Sequence, residues 1–145
     1  MQILIQDQQE SLYLYRQSHD GYEFLGIIGG ASIEEYNKGL IKKHEATLTS
    51  REEMFTNYLD LVGFNAEPVL LSYPKNVKLE QLYMRIIQER PEYEFSTTDK
   101  VKHELWILTQ QEVLEVQEYF KAIEATYIAD GHHRSASSAR LSNIV

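Results

Sequence analysis

Residues 78–88 constrain the fold most. Leu79, Leu82, Tyr83, Ile86 and Ile87 recur at i, i+3, i+4, i+7 and i+8, a spacing that puts all five on one face of an α-helix. Other stretches keep a different habit. Leu12-Tyr13-Leu14-Tyr15-Arg16 and Tyr22-Glu23-Phe24-Leu25-Gly26-Ile27-Ile28 are rich in β-forming residues. His19-Asp20-Gly21 between them predicts the turn of an N-terminal β-hairpin, closed by Gly29-Gly30. A chain with both kinds of element has to pack helix faces on a sheet. The expected class is therefore α/β (mixed α+β), with a mixed sheet and flanking helices.

Helix starts are marked by Ser or Thr followed three residues later by Glu. Ser32 with Glu35 predicts a short helix over residues 33–37. Ser50 with Glu53 predicts one running to about Val62, with Met54, Phe55, Tyr58, Leu59 and Val62 as its apolar stripe and Gly63 as its stop. Thr109 with Glu112 predicts a third, to about Ala122, buried through Val113, Val116, Phe120 and Ile123. Pro68-Val69-Leu70-Leu71 reads as a buried strand, residues 92–97, 104–108 and 126–129 as further strands, and residues 38–49 have no clear period. Residues 130–134 read as a turn into a final helix of small residues, 135–141. There are no repeats, low-complexity stretches or linkers and only 3 prolines, so the 145 residues are expected to form a single domain.

Composition removes several functions. With 14 Lys+Arg against 22 Asp+Glu the net charge is -8, opposite to what generic nucleic-acid binding needs, so no DNA partner is expected. A small local anion site is still compatible with that balance. The absence of cysteine removes disulfides, thiolate nucleophiles, Cys-ligated zinc and iron–sulfur clusters. No apolar run approaches the ~20 residues of a membrane helix. Met1-Gln2-Ile3-Leu4-Ile5-Gln6 lacks the basic start and small-residue cleavage site of a signal peptide. A cytoplasmic protein without a membrane partner is the expectation. The sequence leaves the oligomeric state open.

One stretch concentrates chemistry: Asp130-Gly131-His132-His133-Arg134-Ser135, between an apolar strand and a helix start. A helix N-terminus offers unpaired N–H groups and the positive end of the dipole to an anion. Gly131 lets the backbone approach a phosphate closely. Arg134 can fork onto two phosphate oxygens, Ser135 can add a hydroxyl bond, and His132 and His133 can donate or move protons near neutral pH. The plainer alternative makes Asp130 a helix cap and the histidines solvated surface, but it leaves five such residues at one junction unexplained.

Tyr127-Ile128-Ala129-Asp130-Gly131-His132-His133-Arg134 resembles the signature of the bacterial and archaeal family called domain of unknown function 1015 (DUF1015). The resemblance extends to the hairpin over residues 12–29, to Ile41-Lys42-Lys43-His44-Glu45-Ala46-Thr47, to Asn65-Ala66-Glu67-Pro68-Val69 and to His103-Glu104-Leu105-Trp106. Members are usually much longer, which implies a domain excised from a longer chain. The DGHHR string also looks like the phosphate-binding motif of the ParB/sulfiredoxin-like superfamily. On that pattern residues 1–40 form an N-terminal hairpin region, and residues 41–145 a ParB/sulfiredoxin-like region with an insertion at 73–122.

Within that superfamily, sulfiredoxin chemistry is excluded, since His132 stands where those enzymes carry their cysteine. The ParB role is disfavoured by the acidic charge and the absence of a basic helix. Free-serine kinases share the DGHHR form. Their resemblance implies that Gly131, His132, His133, Arg134 and Ser135 bind the phosphates of a nucleotide or phosphorylated small molecule. Asp130 would hold substrate or a phosphate-bridging Mg²⁺. Glu45 would act as base toward an attacking hydroxyl, assisted by His44, with ATP or ADP and Mg as cofactors. Serine or phosphoserine is the leading metabolite. Two other classes fit the same residues. One is a metal-dependent phosphomonoester hydrolase with Asp130, His132, His133 and His44 around an ion. The other is a non-catalytic nucleotide-sensing or scaffold domain.

Lys42, Lys43 and Arg51 can lend positive charge to such a site but read more simply as surface. Thr47 can bond a ligand or its own backbone. His103 beside Trp106 reads as a partly buried structural histidine, and Tyr58 and Tyr83 as packing residues on apolar helix faces.

Overall fold

The computed structural model describes residues 4–144; the first three residues, on which the signal-peptide reading partly rests, lie outside the described residues. In chain order the elements are β1 (Tyr13–His19), β2 (Tyr22–Ile28), α1 (Ile33–Asn37), β3 (Ile41–Lys42), α2 (Thr49–Val62), β4 (Leu70–Ser72), α3 (Val77–Ile86), β5 (Tyr93–Ser96), β6 (Lys102–Ile107), α4 (Gln110–Phe120), β7 (Thr126–Asp130) and α5 (His132–Ile144). This is the mixed α/β class expected, with the N-terminal hairpin in place. The chain divides into two compact units, Met1–Gly30 with Asn76–Ala122, and Ala31–Lys75 with Ile123–Val145.

The first unit holds an antiparallel sheet in the order β2-β1-β6-β5. Asp20 (φ 49°) and Gly21 (φ 79°) both take the left-handed conformation at the hairpin turn, the conformation that matches the twist of two-residue hairpins and that Asp-Gly adopts cheaply. The register sorts side chains into two faces. On one face Leu14 opposes Trp106 and Arg16 opposes Glu104, and Leu14, Trp106 and Glu104 are buried. On the other lie the cross-strand rows Tyr13–Ile28–Ile107, Tyr15–Gly26–Leu105–Tyr93, Gln17–Phe24–His103–Phe95 and His19–Tyr22. Helix α3 buries Leu79, Leu82, Tyr83 and Ile86, four of the five residues its spacing predicts, and ends there, so that Ile87 is its half-buried C-cap. Helix α4 opens on a full capping box between Thr109 and Glu112. It ends at Phe120, so Ile123, expected on its buried face, falls outside it.

The second unit is built on a three-stranded sheet, β3-β7-β4, parallel between β3 and β7 and antiparallel between β7 and β4. Tyr36, Ile41, Ile128 and Ala139 form its core, with Ile33, Val69 and Leu71 packed against them. Helices α2 and α5 pack together, and their closest surfaces are small and polar. Ser137 and Thr56 are buried, and Ser137 Oγ donates to the Glu52 carbonyl at 3.2 Å.

Four local expectations are corrected here. Helix α2 starts at Thr49 with Leu48 as a cap that has no side-chain bond; Ser50 lies inside it, because Glu53 reaches across to Arg140 at 2.9 Å instead of back toward a cap. Packing through Thr56 turns Met54 (57% exposed) and Tyr58 (48%) outward, so neither belongs to the buried stripe. Strand β4 is not buried: it is a sheet edge with a register irregularity, and Leu70 is 62% exposed. Helix α5 begins at His132 rather than Ser135, so both histidines and Arg134 are its first helical turn. Among the described residues, no helix is long and apolar enough to cross a membrane.

Candidate functional site at the β7–α5 junction

The site lies in the second unit, where β7 passes directly into α5. Gly131 makes the corner with φ +99°, a conformation open to glycine and costly for other residues. A Cβ there would stand 3.1 Å from both Val69 methyls and 3.2 Å from Arg134 Nε. The Ser135 N–H closes the first turn on the Gly131 carbonyl at 2.9 Å. The N–H groups of the preceding turn are therefore at the helix mouth, where an anion is favoured.

The two histidines of that turn reach back to the 44–48 loop. His132 is buried, 3% exposed. Its Nε2 accepts from the His44 backbone N–H at 3.4 Å, and its Nδ1 lies 3.1 Å from a Glu45 carboxylate oxygen. A backbone N–H can only donate, so Nε2 is an acceptor and the ring proton sits on Nδ1, directed at Glu45. The His44 ring stands edge-on to His132 with centroids 4.4 Å apart. His133 repeats the arrangement one position on: its Nε2 accepts from the Leu48 N–H at 3.3 Å. These bonds tie the segment just before α2 to the start of α5.

Arg134 faces a different set of groups. Its guanidinium donates to the Pro68 carbonyl at 2.8 Å and to Asp130 Oδ2 at 2.9 Å, and pairs with Glu67 at 3.1 Å. Glu67 and Asp130 are themselves 77% and 76% exposed. The structure thus brings His44, Glu45 and His132 together, with His133 beside them, and gathers Asp130 and Arg134 with Glu67. Ser135 is half-buried at the end of the first turn.

Among the described residues, His44, Glu45 and His132 are the group of His and acidic side chains whose ligand atoms lie within 4.8 Å of one another. Asp130 and His133, expected beside them in the hydrolase alternative, are outside that group. Both ring nitrogens of His132 are engaged. An ion on Nδ1 would move the proton to Nε2, where it would meet the His44 N–H head-on.

Sequence reasoning did not pick out Glu67 and Pro68 as partners of Arg134, nor the Leu48 amide as the partner of His133. A backbone amide has no residue identity to read, and Glu67 was visible only inside a longer string. Of the remaining candidates, Lys42 and Arg51 are exposed, and three others have ordinary roles. Thr47 donates its hydroxyl to the Glu52 carboxylate. The Lys43 ammonium sits 4.8 Å over the Tyr36 ring. His103, in the first unit, is half-buried, stacks on Phe95 at 4.9 Å and meets the Tyr15 hydroxyl at 2.5 Å, the structural histidine expected.

The family described as Protein of unknown function (DUF1015) matches the chain over residues 1–145. No curated protein and no solved structure matches it.

Proposed function

The chain belongs to the DUF1015 family, and from that premise we propose that the β7–α5 junction is a cytoplasmic phosphate site serving phosphoryl transfer to or from a small hydroxyl metabolite, with serine or phosphoserine as leading candidate. The observation that carries this reading is the pairing of Glu45 with His132 at 3.1 Å across 87 positions of sequence. A carboxylate suited to accept a hydroxyl proton is held by a histidine of the same first turn whose backbone N–H groups suit a phosphate. A donor on its oxygen holds the carboxylate in one direction, the positioning that proton transfer from a hydroxyl requires.

The anion would be a nucleotide, ATP or ADP, or a phosphorylated metabolite. Backbone N–H groups at the start of α5 would meet one oxygen face, and Arg134 another. Arg134 is already paired, but with carboxylates that are three-quarters exposed. Such pairs hold about 0–1 kcal/mol, so a phosphate can displace Glu67 into water at little cost. Asp130 meets Arg134 through Oδ2 and is exposed enough to share a Mg²⁺ that arrives with the phosphates. Phosphoryl transfer is chiefly positioning and charge neutralisation, so this sparse set is sufficient in kind. The clustering of His44, Glu45 and His132 favours a second reading, metal-dependent phosphomonoester hydrolysis. The engaged nitrogens of His132 weigh against it.

Calorimetric titration with ADP, ATP, CTP and phosphoserine, with and without Mg²⁺, tests the proposal. Arg134→Ala should keep the fold and weaken binding by about 1.5–3 kcal/mol, the scale of a charge-assisted bond. Glu45→Gln should abolish turnover and preserve binding. Unchanged affinity in Arg134→Ala would remove the anion site. Equal loss of binding in Glu45→Gln would make Glu45 a ligand contact. Phosphate release that requires added Zn²⁺ or Mn²⁺ would favour the hydrolase, and saturable binding without turnover the sensor.

A further inference from the structure

The first unit's sheet presents an open face that no part of the phosphate reading uses. Six rings stand on it: Tyr13, Tyr15, Tyr22, Phe24, Tyr93 and Phe95. Tyr22 is 71% exposed, Phe24 66%, Phe95 56% and Tyr93 48%, and Ile28 and Ile107 beside them are 39% and 37% exposed. None of the cross-strand rows on this face contains Asp, Glu, Lys or Arg, although a quarter of the chain is charged. Asp7 sits at the rim, accepting from the Tyr13 hydroxyl.

We infer that this face is the interface of a two-fold dimer of the chain. Its area is sufficient. A ring residue carries about 200 Å² when fully open, so the four exposed rings alone contribute on the order of 500 Å². The isoleucines and half-buried rings bring the face to roughly 800 Å², above the ~300–600 Å² of the largest patch on a typical monomer. Covered in full, it would match the ~800 Å² per partner of a standard stable interface.

Its chemistry selects the occupant. A single-stranded nucleic acid could stack bases on the rings, but its phosphates would meet no cation on the face and a chain of charge -8 around it. A second copy meets neither obstacle. Charge repulsion between two acidic chains is least through rows without charged side chains, here with Asp7, Asp20 and Asp99 only at their margin. A two-fold interface uses the same patch on both copies, and two sheet faces pack about 10 Å apart with side chains interleaved. Phe95, His103 and Tyr15 are already stacked on one another, at 4.9 and 6.0 Å between neighbouring ring centroids. The contact surface is thus ordered before association, which lowers its entropic cost.

The test is sedimentation equilibrium of the whole chain from about 1 to 100 µM, where an interface of this size should associate. The expected result is a dimer of twice 16.9 kDa. The double substitution Phe24→Glu with Phe95→Glu should shift it to monomer with the circular dichroism unchanged. Leu114→Glu, at a position 60% exposed on α4, should leave the dimer intact. If the double variant does not fold, Tyr22→Ala should raise the dissociation constant at least tenfold. A wild type that stays at 16.9 kDa throughout overturns the inference. So does a dimer that survives both face variants, or saturable binding of a single-stranded oligonucleotide lost in Tyr22→Ala.

Discussion

Replacing His132 by alanine should separate the energy of the buried ring that ties the 44–48 loop to α5 from that of its contact with Glu45. Three losses can be estimated from the structure. The imidazole is 3% exposed, so its removal leaves a small cavity and lost contacts, about 1–2 kcal/mol. The His44 amide loses its acceptor, a bond of 3.4 Å in a part-buried setting, for about 1 kcal/mol. Glu45 loses its partner but is 57% exposed and is re-solvated almost freely. The total is about 2–3 kcal/mol, a fall in midpoint of very roughly 10 °C for a chain of this size. His132→Phe fills the site with a slightly larger ring instead of a cavity and should cost less than the alanine change, whereas Glu45→Ala should cost under about 0.5 kcal/mol. Urea denaturation followed by far-ultraviolet circular dichroism gives the energies. Trp106, the sole tryptophan, lies in the first unit and would report that unit. Hydrogen exchange at the His44 and Leu48 amides locates the loss, and both should speed up in His132→Ala, His44 more. If Glu45→Ala costs as much as His132→Ala, the Glu45 contact and not the buried ring holds the loop, and the reasoning fails.

Two further outcomes follow from particular contacts. Glu104 is buried, and its carboxyl is held below the usual range, first by the hydrogen bonds from Arg16 (2.7 and 3.0 Å), against desolvation, and next by Lys102 at 3.2 Å. Its folded-state value is depressed, so its contribution is fully present above the unfolded value near 4.5 and is lost as pH falls through the folded one. Stability should therefore decline below about pH 4.5, and Glu104→Gln should start lower and decline less, by urea titration at pH 3, 4 and 6. At the other unit, Gly131→Ala places a methyl against Val69 and Arg134 at φ +99°. It should cost about 1–3 kcal/mol and weaken phosphate binding through the displaced Arg134; unchanged stability would mean the corner tolerates a side chain.

What could be read in the sequence was what local chemistry decides. The Asp20-Gly21 turn, the stripe of α3 and the Thr109–Glu112 box each depend on residues a few positions apart, and they form as expected. Strand β3 was invisible because two residues carry no period; Ile41 and Lys42 are a strand only because β7 lies alongside. The start of α2 was misplaced because Glu53 found a tertiary partner in Arg140, which local capping rules do not weigh. Likewise, Met54 and Tyr58 looked like core until Thr56 and Ser137 set how α2 meets α5. For the site, the motif was legible as chemistry, and His44-Glu45 only as resemblance. Nothing local relates residue 45 to residue 132. The fold alone supplies their pairing.

That the motif has two adjacent histidines follows from where the helix begins. Consecutive helical residues project about 100° apart and tilt back toward the N-terminus. His132 and His133, in the first turn, therefore reach backward to two separate points on the preceding loop, and the two amides they meet, His44 and Leu48, are four residues apart. A neutral imidazole suits this duty because one ring nitrogen accepts while the other still donates. Lysine or arginine could not accept at all. A carboxylate could accept, but it would put negative charge where an anion is to bind. The histidines thus hold the loop without adding an acidic side chain to the first turn of α5, and His132 meets Glu45 at its carboxylate. On the proposed reading the motif divides its labour. The histidines fix the loop and aim the base, and the backbone N–H groups with Arg134 take the charge. A ligand that binds in His132→Phe with near-normal affinity but no longer turns over would follow from that division. Loss of binding in the same variant would place the imidazole on the phosphate itself.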